Sequence, residues 1–345
     1  MNVNKSNEYI KETLEQYCKS QVNDSAFKVS ATHMIHISEE EFNEVKKSKL
    51  KYEALSVTRL RFAVIDISNK VYLLIIGTDN IVMENDDFVP TPLDKILFLS
   101  IVETLKLGIR DGVSHSLIEE TIYPIENDAS GYELDSIIVL FEPVAVYEIP
   151  PQEIEKETQF KTHIAKILLT NLNYTYLSFS ENTIKSYMQY YNNIHYDDNI
   201  FNSLLAYCWR YCFLDVYRCL EPIFGHIPVS ELKKEIGISN SVGSLFEKIY
   251  RHCGWRPQET SSMEKIFTED YLSKDLLEQL HSLNIGDSPD EKVGNSIYKL
   301  RNKIVHHQGV SSDIEKSLSK DNWDRLVGLL LDAITELRRK YPCDA

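Results

Sequence analysis

The sequence predicts an α+β protein: an amino-terminal α/β domain with a small, mainly antiparallel sheet over residues 1–150, then an all-α domain over 151–345. Three observations predict it. Two β-rich runs stand on either side of the short polar link Ser68-Asn69. Pro150-Pro151 stops the last β-like segment and leads into an acidic stretch (Glu153, Glu155, Glu157) that reads as the charged start of a helix. Beyond it nearly every segment has helical period. A chain of 345 residues is long enough for two such domains.

In the first domain, Tyr9, Ile10, Leu14, Tyr17 and Val22 recur at roughly helical spacing and predict a surface helix over 8–22. Runs 59–67 and 70–77 are rich in β-branched residues, and the link between them predicts a hairpin. Segment 93–109 predicts an apolar helix that leaves at Arg110-Asp111-Gly112. Segment 136–149, Ile- and Val-rich but broken by Pro143, predicts an edge or bent strand. His33 and His36 have alternating neighbours and read as strand residues rather than ligands.

In the second domain the period predicts helices over 163–172, 181–193, 199–221, 229–236, 242–253, 263–267, 271–283, 290–308 and 320–341. The turn Gly286-Asp287-Ser288-Pro289 offers Asp287 or Ser288 as a cap for the helix at 290. Nine tyrosines fall between Tyr174 and Tyr217. Base stacking is one reading of them; an aromatic core or dimer interface is favoured by their helical spacing among other apolar residues.

A content of 43% hydrophobic and 26% charged residues is that of a soluble globular protein. No apolar run reaches membrane-spanning length, and the first residues lack the apolar stretch of a signal peptide. A cytoplasmic protein without a membrane partner is expected. Six cysteines are too few for a disulfide scaffold. Cys208, Cys212 and Cys219, at near-helical spacing in an aromatic segment, read as packed reduced thiols, because a metal site needs more ligands close by. Neither a metal nor a cofactor is expected.

The formal charge of −15 argues against a nonspecific nucleic-acid coat. Locally the balance reverses: between Lys292 and His307 stand Lys292, Lys299, Arg301 and Lys303 and no acid. A second basic island, Lys46-Lys47-Ser48-Lys49-Leu50-Lys51, reads as a solvated face. In the first island Arg301, the polar Asn302 and His306 form an Arg-polar-x-x-x-His pattern. Such residues can cleave RNA without a metal. RNA brings its own nucleophile, the 2′-hydroxyl; a histidine near neutral pKa moves the proton, and a guanidinium offsets charge on the phosphate. Five residues at about 100° each put Arg301 and His306 roughly 140° apart around a helix, so one narrow pocket on one helix cannot hold both.

This pattern resembles the signature of HEPN domains, small helical modules of prokaryotic toxins and anti-phage ribonucleases. Residues 209–221 (Trp209-Arg210-Tyr211 through Glu221) look like the first long helix of larger members, and Gly254-Trp255-Arg256-Pro257-Gln258-Glu259 like their connecting segment. The similarity covers about the last 150 residues and none of the first 150. It implies a helical bundle, usually dimeric, with two signature helices pooling arginines and histidines in a composite site, and metal-independent endoribonuclease activity in defence or as a toxin. It implies His306 as acid or base, Arg301 as phosphate clamp and Asn302 as the orienting group. His307 competes for the histidine role. Lys299, Lys303 and His307 are the expected RNA contacts. The amino-terminal domain is expected to act as sensor or brake, with a phage-derived trigger or regulatory protein as partner. Many family members are inactive, so a dimerisation scaffold or regulatory partner is the alternative.

Arg210, Arg218 and Glu221 are candidates for a buried polar network; Arg218 and Glu221 equally suit a simple helix pair. Asp66 and Asp79 flank the hairpin and are the carboxylates that a metal nuclease would use, but nothing nearby completes a set. Phosphate loops, dinucleotide fingerprints and the Gly-x-Ser-x-Gly elbow are absent from the sequence.

Overall fold

The computed structural model describes residues 5–22, 28–29, 34–55, 59–83, 87–122, 131–193, 197–286, 288, 290–306 and 318–341. The chain divides into two compact units, 1–160 and 161–345, and each has its own fold. The division falls later than Pro150-Pro151, which begins a short 3-10 turn, Pro151–Ile154.

The first unit is mixed. Its elements are α1 (Lys5–Val22), α2 (Glu39–Val45), β1 (Lys49–Leu55), β2 (Arg61–Ile67), β3 (Lys70–Ile76), β4 (Val89–Pro90), α3 (Lys95–Leu105), α4 (His115–Ile122), α5 (Leu134–Ile138) and β5 (Val144–Ile149). The strands form one antiparallel sheet in the order β1-β2-β3-β5-β4. The hairpin falls where the sequence puts it. Ser68 and Asn69 take positive φ of 52° and 70°, the conformation in which a two-residue turn matches the twist of its strands. Ala63, Ile65, Tyr72 and Leu74 pack with Phe98, Ile101 and Val102 of α3 in one core. Phe62, Val64, Leu73 and Ile75, which alternate with them, are buried as well. Burial on both faces explains the near-continuous apolar run. Asn7, itself buried, exchanges two hydrogen bonds with Ile35, donating to its carbonyl at 3.0 Å and accepting from its N–H at 2.7 Å.

Several expectations need correction. The segment 136–149 is not one strand: it opens in α5, and the ladder begins only after Pro143, which has no N–H to give. The Pro143 carbonyl accepts from Gly77 N–H at 2.9 Å, and β5 lies between β3 and β4 rather than at an edge. α3 ends at Lys106, in the left-handed region at φ 55°; Gly112 belongs to a later turn. The second basic island is no mere solvated face, since it runs into β1, whose Lys51 ammonium donates to the Ile154 carbonyl at 2.7 Å. His36 lies outside any strand, and His33 lies outside the described residues.

The second unit is helical among its described residues. After α6 (Glu157–Thr170), which crosses the division, come α7 (Glu181–Asn193), α8 (Asp198–Leu205), α9 (Trp209–Arg218), α10 (Glu221–Ile236), α11 (Val242–Cys253), α12 (Glu259–Ile266), α13 (Lys274–Ser282), α14 (Val293–His306) and α15 (Lys320–Lys340). The expected single helix 199–221 is three pieces. Ala206 and Cys208 are extended, and Pro222 at the start of α10 suits a first turn, where its missing N–H costs nothing. α10 then runs through Pro228 instead of beginning after it. α15 is the central rod, packed by α7, α9 and α13. Trp323 on α15 is almost fully buried and meets Phe213 edge-on at 5.8 Å, and Thr183 Oγ1 donates to the Asp324 carbonyl at 3.1 Å.

Candidate functional site

α14 is positioned by its small and apolar residues. Gly294, Ile297 and Leu300 are buried, and α14 packs on α12 and, more lightly, on α9 and α13. A Cβ on Gly294 would stand 2.2 Å from the Met263 carbonyl oxygen, so only glycine lets α12 and α14 approach this closely. Ser288 accepts from Asp290 N–H at 3.3 Å in the turn before α14 and does not cap the helix, which starts at Val293. Asp287 lies outside the described residues.

Arg301 follows Leu300 and lies partly buried, its side chain 21% exposed. One nitrogen, Nη1, donates to Asn302 Oδ1 at 2.9 Å. The other, Nη2, stands 3.5 Å from Glu221 Oε1 and 3.8 Å from Glu259 Oε2. Below lies Tyr217, whose ring centre is 5.7 Å from the guanidinium carbon, a cation–π distance. Glu221 and Glu259 are the first residues of α10 and α12, where a carboxylate also favours the helix dipole. The cluster thus ties α9, α10, α12 and α14 together.

Two oxygens in it lack a hydrogen-bond partner among the described residues: Glu259 Oε2 and the Tyr217 hydroxyl, both buried. Burial pushes the Tyr217 phenol well up; the charge of Glu259 adds to this and Arg301 opposes it. Tyr298, one turn before Asn302, is lowered by hydrogen bonds with Thr260 and then Asn302.

His306 closes α14 and is exposed, and its side chain has no hydrogen bond or ion pair among the described residues. Arg301 and Asn302 share a side-chain hydrogen bond; the His306 side chain makes no hydrogen bond or ion pair with either among the described residues. His307 lies outside the described residues. Lys299 pairs with Glu291 at 2.6 Å, and Lys292 with Glu264 at 3.0 Å. Lys303 is exposed. Four carboxylates (Glu221, Glu259, Glu264 and Glu291) therefore stand within 3.8 Å of Lys292, Lys299 or Arg301, cations that give the stretch its positive sequence charge. A phosphate approaching Arg301 competes with Glu221 and Glu259.

The network around Glu221 differs from the sequence reading. Arg218 pairs with Asp215 at 2.6 Å, and Glu221 reaches Arg301. Glu259, Tyr217 and Tyr298 are the members that sequence reasoning did not assign; an acid opening each of two helices was the available signal. Asp79 is 3.8 Å from Arg110, Asp66 sits within β2, and no group of three His, Cys, Asp or Glu capable of holding a metal occurs among the described residues. Cys212 and Cys219 are fully buried, and burial pushes the Cys212 thiol up to about 12. No helix among the described residues is long and apolar enough to cross a membrane. Comparisons of the chain with protein-family models, with curated proteins and with solved structures return no match.

Proposed function

We propose that the carboxy-terminal unit is a HEPN-type endoribonuclease, acting in phage defence or as a toxin, and that the amino-terminal unit restrains or triggers it. The supporting observation is the state of the signature on α14: Arg301 is held by Asn302 and a cradle of side chains, while His306 is exposed at the end of the same helix, its side chain unpaired among the described residues. A held guanidinium has little orientation left to lose, and an exposed histidine is open to a second protomer. In this reading a histidine takes the 2′-hydroxyl proton, the 2′-oxygen attacks phosphorus, and the 5′-oxygen leaves with a proton from the paired acid. The products are a 2′,3′-cyclic phosphate and a 5′-hydroxyl. Arg301 offsets charge on the phosphoryl oxygens once substrate displaces a glutamate from it, and Asn302 orients it. No metal takes part.

A second reading has one observation in its favour: Arg301 already has two carboxylates and an aromatic face. In that reading the unit is a non-catalytic dimerisation module and Arg301 a structural tie. Expression of the wild type beside His306→Ala separates the two. Growth arrest with fragmented RNA in the wild type only is expected. Intact RNA and equal growth in both, with the trigger present, would leave the scaffold.

A further inference from the structure

Of the nine tyrosines between Tyr174 and Tyr217, Tyr196 lies outside the described residues, and most of the others divide into two groups. Tyr187, Tyr190, Tyr191 and Tyr217 are buried and belong to the core. Tyr176, Tyr207 and Tyr211 are not: they are 55%, 64% and 40% exposed. Large aromatic rings left in water together mark a contact surface more often than chance. Tyr207 and Tyr176 line the same open cavity of about 460 Å³, within the roughly 300–1,000 Å³ range of ligand sites.

The ring of Tyr207 is backed rather than loose. Its centroid is 5.3 Å from that of Tyr211, and the Arg210 guanidinium carbon stands 4.9 Å from the Tyr211 ring. Tyr207, its plane tilted 53° to that of Tyr211, is thus the outermost member of a short cluster. The cavity also opens on the start of α9, where Cys208 supplies no side-chain cap. Lys320 lies on the rim without an acidic partner among the described residues. Of the two acids there, Asp324 is buried and accepts from Ser180 N–H at 3.1 Å, and Asp321 opens α15.

We infer that this cavity is a binding platform for single-stranded RNA, with a base stacked on Tyr207, Tyr176 as the second aromatic wall, and a backbone phosphate at the start of α9 beside Lys320. Aromatic faces accept any base, and the cation follows the backbone. The platform is joined to the proposed site by one element, since α9 carries Tyr211 near its start and Tyr217, beneath Arg301, near its end. At 1.5 Å per residue these two are about 9 Å apart along the helix axis, on the order of one to two nucleotides. They lie about 120° apart around it, so a strand touching both must bend around α9. The identity of the ligand as RNA rests on the ribonuclease reading.

The test measures binding of a fluorescein-labelled 2′-O-methyl RNA 12-mer, which lacks the nucleophile and stays intact whatever the enzyme does. Tyr207→Ala is expected to weaken binding roughly 5- to 150-fold, the range for loss of one stacked base, and Tyr207→Phe to keep wild-type affinity. Lys320→Ala should lower the salt slope by about 0.7. Both tyrosines are more than half exposed, so these variants should melt as the wild type does. Wild-type affinity in the Tyr176→Ala/Tyr207→Ala double variant overturns the platform. So does a change in oligomeric mass with affinity intact, which would give the surface to a second copy of the chain. A wild type that cleaves no RNA yet binds the 12-mer through Tyr207 removes the ribonuclease reading and leaves the platform standing.

Discussion

Arg301 and Glu259 face each other across α14 and α12, with Nη2 3.8 Å from an Oε2 that is buried and accepts no hydrogen bond among the described residues. The pair stands at the centre of both functional readings, because the same guanidinium is either a tie between helices or a clamp for phosphate.

The first prediction measures the tie. Arg301→Ala leaves Glu259 half-buried without its cation and should cost about 1–3 kcal/mol in urea unfolding. Glu259→Gln in that background should recover part of the loss, with a coupling of roughly 0.5–3 kcal/mol in the double-mutant cycle. Additive effects would mean that the contact contributes nothing. Arg301→Lys keeps the charge and should melt near the wild type, yet lose cleavage, because an ammonium cannot make the planar two-pronged contact.

A second prediction concerns the chemistry. Cleavage should persist in excess EDTA; loss restored by magnesium or manganese would move the site to carboxylates such as Asp66 and Asp79. His306 is exposed, so His306→Ala should change stability by no more than about 0.5 kcal/mol while cleavage falls by orders of magnitude. Mixing it with Arg301→Ala should restore some activity if each pocket draws on two protomers. A fully active monomer by light scattering would defeat the composite site.

Two glycines give opposite signs. Gly294→Ala drives a Cβ to 2.2 Å from the Met263 carbonyl, a backbone atom that cannot step aside, and should destabilise the helical unit by about 1–3 kcal/mol or more. A Cβ added to Gly243, inside α11, would meet nothing within 4 Å, and Gly243→Ala should stabilise by about 0.4–1 kcal/mol. Thermal melts of the two variants check both signs.

Asp332 supplies a pH prediction. Burial, helped by the charge of Glu336 and opposed by a hydrogen bond from Ser186, raises its carboxyl above the usual range. The folded state then holds this proton more tightly than the unfolded chain does. This residue's contribution to stability is therefore greatest below the usual carboxylate pKa, and it is lost as pH rises through the raised value. Asp332→Asn should raise the melting temperature at neutral pH and give no gain near pH 3. An equal gain at both would show that its charge is irrelevant.

Much of this architecture is legible along the chain. The hairpin at Ser68-Asn69 follows from a two-residue polar link between β-branched runs, and α7, α11 and α15 follow from apolar residues at helical spacing. Arg301, Asn302 and His306 could be named because they share one helix, and one helix is a local object. Breaks inside helical-period sequence were harder. Ala206 and Cys208 turn extended although their neighbours have helical propensity, and Pro143 delays a strand that its flanking Ile and Val residues favour.

The order and kind of most elements, and the residues of the signature, are written locally in the chain, because hydrophobic period and turn chemistry act between near neighbours. The surroundings of Arg301 come from packing in three dimensions. Glu221 and Glu259 begin two other helices, and they reach the guanidinium because Gly294 lets α14 close on α12 and Tyr217 fills the space below. A count of charges along the chain gives a positive stretch, whereas Coulomb energy depends on distance in space, and there the carboxylates arrive from elsewhere.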